Sequence, residues 1–259
     1  MRDESIEGAI RRERAITLAG LALLVALAWL YLAHLGREMA DMAAMDMAQT
    51  GPWTLADAAL AVGMWAVMMV AMMLPSAAPM VLVFTAVNRK RRGAGGSRQL
   101  ETGMFVLGYL AMWGVLSLAA AGAQWAFHRA ALLSDDVLAS TPLVGSIILI
   151  GAGIYQLTPL KYACLSRCRT PLDFLLSEWR EGRAGVFVMG LRHGLYCVGC
   201  CWILMALLFV GGVMNLVWIA AIAGFVLLEK VVPAGRVVAW GAGAALVGWG
   251  GFMLLRTIS

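Results

Sequence analysis

Long apolar stretches separated by short polar segments run through most of this chain. A helix rises 1.5 Å per residue and needs about 20 mainly apolar residues to cross roughly 30 Å of hydrocarbon. Seven stretches fit or approach that length, at 16–35, 54–74, 101–126, 142–160, 186–210, 213–228 and 237–255. The pattern predicts an all-α, polytopic transmembrane helical bundle of about seven spans, or of six without the short stretch 213–228.

The composition supports the same class. Hydrophobic residues make up 62% of the chain and charged residues only 14%, whereas a soluble domain carries about 25% charged residues. The first apolar stretch exceeds the 7–15 residues of a signal-peptide core, so it is interpreted as a retained anchor. We predict an N-terminal anchor helix with a methionine-rich outer loop over residues 1–52, and a membrane metal-binding domain over residues 53–259.

The positive charges predict an orientation, because short cytoplasmic loops are enriched in Lys and Arg. With the N-terminus in the cytoplasm, all but Arg37, Arg129 and Arg256 of the 20 basic residues lie on the cytoplasmic side. This topology predicts an integral protein of the bacterial inner membrane. The net charge of +5 then reflects topology and contact with anionic lipid, and no nucleic-acid partner is predicted.

Cysteines supply the main chemical signal, since all five lie between Cys164 and Cys201. On a helix, His193, Cys197, Cys200 and Cys201 share a sector of about 100°. Residues three or four apart have Cβ atoms about 5–6 Å from each other, so two of these thiols can reach one ion. Further ligands must then come from Cys164 and Cys168 in the preceding loop, which is predicted to face a reducing cytoplasm. The alternative is that the cysteines pack as small hydrophobic residues.

Methionines form a second pattern in the predicted span 54–74. Met64, Met68 and Met72 follow one another at steps of four residues, which places them in one stripe, and thioethers are soft ligands suited to Cu(I). The alternative is that these methionines fill gaps between helices. Pro75 and Pro79 are expected to break or kink the end of this helix.

The predicted outer loop also contains four methionines, mixed with His34 and acidic residues. The segment Met39–Met47 resembles the extracellular methionine motifs of copper uptake proteins. An amphipathic interfacial segment is an equally simple interpretation.

Three further patterns concern packing. The spacing Gly190-x-x-x-Gly194 predicts close approach of another helix. Residues 171–183 favour a short interfacial helix that begins at Pro171, ends near Gly182 and presents one apolar face, formed by Leu172, Leu175, Leu176 and Trp179. Glu229 and Lys230 end the sixth span and are expected to snorkel to the interface. The alternative is a pair that positions the cytoplasmic loop over the thiols.

Taken together, these motifs resemble a bacterial family of predicted metal-binding integral membrane proteins, over most of residues 53–252. The resemblance supports a metal site and implies no particular activity. It is carried by Met64-Trp65, Met72-Met73-Leu74-Pro75-Ser76, Tyr155-Gln156, Pro159-Leu160-Lys161, Cys164, Cys168, Gly194, Cys197-x-x-Cys200-Cys201-Trp202, Met205, Gly212, Met214-Asn215-Leu216 and Glu229-Lys230.

The sequence therefore predicts a membrane protein that binds a soft metal ion, Cu(I), and acts in its transport or delivery. Ions would be gathered by Met39–Met47, pass near the methionine stripe and be held by the cysteines with His193. A partner metallochaperone or cuproprotein would fit this role. A structural or interaction protein with a Zn(II) staple is the alternative, and a non-metal permease is a further one. No catalytic motif is found, so an enzyme is not predicted.

Overall fold

The computed structural model describes residues 2–44, 53–92, 98–133 and 138–259, and helices dominate these ranges. Within them the only β-type pairing is an isolated bridge between Leu133 and Ser140. The all-α prediction is thus confirmed. The helices are α1 (Arg2–Ala44), α2 (Leu55–Arg92), α3 (Arg98–Arg129), α4 (Pro142–Gln156), α5 (Pro159–Arg169), α6 (Pro171–Glu178), α7 (Gly182–Ala206), α8 (Leu208–Gly211), α9 (Leu216–Val231) and α10 (Gly235–Ile258).

Five stretches of the described chain are helical, long and apolar enough to cross a membrane. They are Ile10–Met39, Leu55–Arg91, Gln99–Arg129, Gly182–Gly211 and Gly235–Ile258. The pair α4 and α5, bent by 65° at its break, would make a sixth span. Helix α9 corresponds to the predicted stretch 213–228 and has 16 residues, fewer than the roughly 20 that a span needs.

Helices α1 and α2 both extend beyond their predicted ends. Helix α1 continues to Ala44, so Met39 and Met42 lie on a helix, while Met45 and Met47 lie outside the described residues. Helix α2 continues through Pro75 and Pro79 to Arg92, so these prolines do not break the helix, and the alternative that they kink it stays a prediction. Neighbouring helices and hydroxyl groups can satisfy the backbone groups that a proline frees. The carbonyls that Pro75 and Pro79 free lie four residues earlier, at Ala71 and Pro75.

Helices α3 and α7 pack closely through glycines. A Cβ added at Gly190 would overlap the Phe105 carbonyl, and one added at Gly194 would lie 2.8 Å from the Met112 Cβ. The predicted close approach at this pair of glycines is therefore confirmed, and α3 is the helix that makes it. This contact fixes the part of α7 that immediately precedes its cysteines.

The residues that carry Cys164 and Cys168 form a helix, α5, where a loop was predicted. Thr158 caps α5, because its hydroxyl accepts from the Lys161 amide at 3.3 Å, and Pro159 occupies the first turn. Proline is favoured there, since the first amides of a helix have no partner within it. Cys164 and Cys168 therefore lie on α5 rather than on a loop.

Helix α6 begins at Pro171 as predicted, but it ends at Glu178 and Gly182 begins α7. Gly182 has a φ of 77°, a backbone conformation that glycine adopts most readily. The predicted apolar face of α6 is only partly covered by the rest of the protein. Leu175 is buried, whereas Leu172 and Leu176 are exposed. Phe174, which the pattern did not select, is buried and meets the His193 ring edge-on at 5.4 Å, because α6 packs onto the helices beneath it.

Candidate metal centre

Three thiols of α7 lie in the interior of the molecule. Cys197, Cys200 and Cys201 are each at most 1% exposed. All five cysteines of the chain are free thiols. The Cys200 and Cys201 thiols donate to the Cys197 carbonyl, at 3.1 and 2.9 Å. Two sulfur atoms therefore converge on the carbonyl of Cys197.

Helix α2 contributes a thioether to this point. The Cys201 Sγ lies 3.8 Å from the Met73 Sδ, and the two residues are 128 positions apart. Met73 is fully buried, so the contact is shielded from solvent. This is the contact by which the structure joins a methionine to the cysteines.

The Cys197 thiol faces polar groups from two other helices. It lies 3.1 Å from the Tyr109 hydroxyl on α3 and 2.9 Å from the Lys230 ammonium on α9. Lys230 also donates to the Ser76 hydroxyl at 2.8 Å. The Tyr109 hydroxyl in turn bonds to the Met73 carbonyl at 3.1 Å. Hydrogen bonds thus link the sulfur-bearing parts of α2 and α7 through α3 and α9.

Helix α5 brings the remaining two cysteines to α7. The Cys168 thiol lies beside those of Cys197 and Cys200. Cys164 packs on Gly199, where an added Cβ would lie 2.7 Å from the Cys164 Sγ. Because glycine leaves this space open, α5 can approach α7 closely. The term sulfur cluster is used below for Met73, Cys168, Cys197, Cys200 and Cys201.

A buried ion pair holds α5 in this position. The Lys161 ammonium lies 2.6 and 2.8 Å from the two carboxylate oxygens of Glu229. The Gln156 amide donates to the same carboxylate at 3.1 Å. The expectation that Glu229 and Lys230 snorkel to the interface is therefore wrong. Glu229 pairs with Lys161, and Lys230 points to Cys197, so the alternative in which they position the segment over the thiols describes the structure better.

His193 lies one turn before the thiols, among aromatic rings. Its ring stacks on Tyr109 at 5.6 Å and on Phe105 at 6.1 Å between centroids. The side chain is 2% exposed, and its Nδ1 atom has no hydrogen-bond partner among the described residues. His193, a predicted ligand, thus lies beside the sulfur cluster. Its Nδ1 atom is unpaired among the described residues, and aromatic rings surround the imidazole.

The predicted methionine stripe is buried in the core of α2. Met64, Met68 and Met72 are at most 6% exposed. The methionine that meets a thiol is Met73, which lies 100° around the helix from Met72. In the sequence, Met73 and Ser76 stand out only as members of the motif Met72-Met73-Leu74-Pro75-Ser76, and no pattern places Tyr109 at the site. That motif gives no direction in space, so it could not show which methionine faces the thiols.

The spacing of the donor atoms decides whether they fit a metal ion. Across the described ranges, no three His, Cys, Asp or Glu side chains are grouped so that they could hold one ion. The sulfur contact itself fits a soft ion. With a metal–sulfur distance of about 2.3 Å, two sulfur ligands of one ion lie about 3.8 to 4.6 Å apart, and Met73 and Cys201 are separated by 3.8 Å. The separation of 3.8 Å corresponds to a bent sulfur–metal–sulfur angle, so further thiols must turn toward this pair to complete a site.

Comparison with known proteins gives a family. The family model PpoB2, described as a copper chaperone, matches residues 62–253, about three quarters of the chain. No curated protein and no solved structure matches. The chain belongs to this copper chaperone family, and the match includes every residue of the sulfur cluster.

Proposed function

We propose that this member of the copper chaperone family binds Cu(I) in a membrane and passes the ion to an acceptor protein. The sulfur cluster is the binding site, with Met73 and Cys201 as the first ligands and Cys197 as the third. The observation that supports this proposal most directly is the buried 3.8 Å contact between the Cys201 Sγ and the Met73 Sδ. Since soft thiolate and thioether ligands select Cu(I), this pair suits copper as cargo.

The same donors argue against a zinc staple. A structural zinc site holds four His, Cys or carboxylate ligands in tetrahedral geometry, whereas the proposed site begins from one thiol and one thioether. A thioether adds little to Zn(II) binding, whereas it is a good ligand for Cu(I). Copper is therefore the better fit to a site that combines thiols with Met73.

Metal binding requires small movements of side chains only. The Cys200 and Cys201 thiols now donate to the Cys197 carbonyl, and each thiol that binds an ion releases its proton. Rotation about one side-chain bond would free each sulfur from that carbonyl. Cys168 supplies another sulfur from α5, so the coordination can pass from a deep pair to thiols that are nearer the surface.

The ion would follow a route from the buried methionines of α2, through the sulfur cluster, to the half-buried cysteines of α5. Met64, Met68 and Met72 extend over about 12 Å of α2 before Met73 and offer thioethers in the core. On the opposite side Cys168 and Cys164 are half-buried on α5. Ligands of similar softness along such a line allow an ion to exchange between them without a deep trap. The order of the path is part of the proposal, and the segment Met39–Met47 would supply the ions.

Membrane insertion is proposed on the basis of the apolar helices. Leu23, Leu27 and Leu30 of α1 are more than half exposed, as are Val237, Trp249 and Leu255 of α10. Exposed apolar side chains on long helices are suited to lipid contact. The orientation with a cytoplasmic N-terminus and the bacterial inner membrane remain proposals that rest on the distribution of Lys and Arg. Delivery of an ion by binding and exchange needs no catalytic group, so we propose a carrier and not an enzyme.

The test is copper binding by the purified protein under reducing conditions. The full-length protein in detergent is loaded with Cu(I), freed of unbound ion and analysed for metal content, and X-ray absorption gives the ligand type. We expect about one copper per chain with sulfur ligands, and loss of copper when Cys197, Cys200 and Cys201 are replaced by serine. A metal-free wild-type protein under copper-replete, reducing conditions would overturn the proposal, as would a serine variant that keeps its copper and is as stable as the wild type.

A further inference from the structure

Lys230 places a positive charge within hydrogen-bond distance of a sulfur of the proposed site. Its ammonium lies 2.9 Å from the Cys197 Sγ and 2.8 Å from the Ser76 Oγ. The nearest acidic neighbour in sequence, Glu229, directs both of its carboxylate oxygens to Lys161. Among the described residues no carboxylate forms an ion pair with Lys230. The charge of Lys230 is therefore available to whatever occupies the cluster.

The ammonium of Lys230 would be expected to weaken the binding of a metal ion nearby, because like charges repel. Its presence at a proposed metal site therefore requires an explanation. The reason is the charge of the ligands. If Cys197 and Cys201 bind as thiolates and Met73 as a neutral thioether, a monovalent ion leaves one negative charge on the complex. The ammonium of Lys230 cancels that charge. A divalent ion would leave the complex neutral, and the part-buried ammonium would then have no opposite charge beside it, which is less favourable.

On this basis we propose that Lys230 is the specificity-determining residue of the site, a fixed counter-charge that makes the sulfur cluster prefer monovalent over divalent soft ions. The inference rests on the proposed function, since it assumes that the cluster binds metal. Lys230 would have this effect without binding the ion itself. A sulfur can accept from Lys230 and bind a metal at the same time, because its lone pairs point in different directions.

The distances set the expected size of the effect. With a metal–sulfur bond of about 2.3 Å, the ion lies at most about 5.2 Å from the Lys230 ammonium, given the 2.9 Å between that ammonium and the Cys197 Sγ. At such a separation a unit charge changes the binding of each additional charge on the ion by at least about tenfold, even with substantial screening. Selectivity between ions of different charge is therefore the property to measure.

The experiment is a competition between Ag(I), a monovalent soft ion that is not reduced or oxidised here, and Zn(II). The wild-type protein and its variants are exposed to both ions, freed of unbound metal and analysed for the ratio of the two. We expect Lys230→Gln to lower the ratio of Ag(I) to Zn(II) by at least about tenfold, and Lys230→Arg to keep most of the wild-type ratio. Arg236→Gln is the matched control. It removes one positive charge whose guanidinium lies over the Tyr162 and Trp240 rings and not at a thiol.

A second variant keeps the lysine and neutralises it. Ser76→Asp places a carboxylate at the position that now accepts from Lys230, and we expect it to lower the ratio in the same direction as Lys230→Gln. If Lys230→Gln does not fold, Ser76→Asp still tests whether the charge of Lys230 controls the ratio of Ag(I) to Zn(II). An unchanged ratio in a folded Lys230→Gln or Ser76→Asp protein overturns the inference, and so does a Lys230→Arg protein that loses as much selectivity as Lys230→Gln. A wild-type protein that binds neither Ag(I) nor Cu(I) would instead overturn the proposed function itself.

Discussion

Lys161 and Glu229 form an ion pair in which the two side chains are only 1% and 2% exposed. The pair joins α5, which carries Cys164 and Cys168, to the last turn of α9. The next residue of α9, Lys230, bonds to Cys197 on α7. Two consecutive residues of one helix thus hold the two cysteine-bearing helices together, and the geometry of the sulfur cluster depends on them.

Removing one partner of this pair should destabilise the protein strongly. Lys161→Met leaves the Glu229 carboxylate buried without its cation, and such a change costs about 3–5 kcal/mol. Thermal unfolding in detergent would show the loss. The double variant Lys161→Met, Glu229→Met should recover much of it, because a packed apolar pair of similar volume is often as stable as the ion pair.

The matched control for that experiment is the pair between Arg192 and Glu178, whose side chains are 43% and 19% exposed and thus less buried than those of Lys161 and Glu229. Exposed pairs contribute about 0–1 kcal/mol, so Arg192→Met should lower stability far less than Lys161→Met. Equal losses in the two variants would contradict the view that burial makes the Lys161–Glu229 pair important.

Replacing Met73 should weaken copper binding without disturbing the fold. Met73→Leu keeps the volume of the side chain, and swaps of this kind usually cost less than 1.5 kcal/mol. The loss of a soft ligand should lower the Cu(I) affinity by about tenfold or more. Competition with a chelator of known affinity measures it. Met69→Leu is the control, since Met69 is equally buried on the same helix. A Met73→Leu protein with wild-type affinity would remove Met73 from the site.

The five thiols should differ in their reactivity toward a water-soluble alkylating reagent. Cys164 and Cys168 are partly exposed, whereas Cys197, Cys200 and Cys201 are buried. Mass spectrometry after brief labelling should therefore find the reagent first on the two cysteines of α5, and on all five after denaturation. Prior loading with Cu(I) should protect Cys168 more than Cys164, because only the former belongs to the sulfur cluster. Labelling of the three α7 thiols first would contradict the observed burial.

The close packing of α3 on α7 predicts a strong effect at Gly190. A methyl group at this position would overlap the backbone of Phe105, so Gly190→Ala must push the two helices apart and move the thiols of α7. We expect lower thermal stability and faster labelling of Cys197. Gly114→Ala on α3 is the control, since an added Cβ there has no neighbour within 4 Å. Equal stability of the two variants would show that the helices can separate at little cost.

The sequence by itself was sufficient for the helical class and for part of the site. Apolar stretches of spanning length predicted the long helices, and the spacing of Cys197, Cys200 and Cys201 placed them on one sector of α7. The small-residue spacing at Gly190 and Gly194 predicted a close helix contact. Each of these is a property of a single helix, for which the period of 3.6 residues fixes which side chains share a face.

Tertiary structure alone decided which other residues reach those thiols. Met73 rather than Met72 faces Cys201, and Lys230 turns inward to Cys197, although its place at a helix end suggested the interface. Helix α2 also passes through Pro75 and Pro79, because packing against neighbours outweighs the local preference of proline. The physical reason is that periodicity orients a side chain about its own helix axis, whereas its partners depend on how separate helices pack, and that packing is set by contacts between residues far apart in the chain.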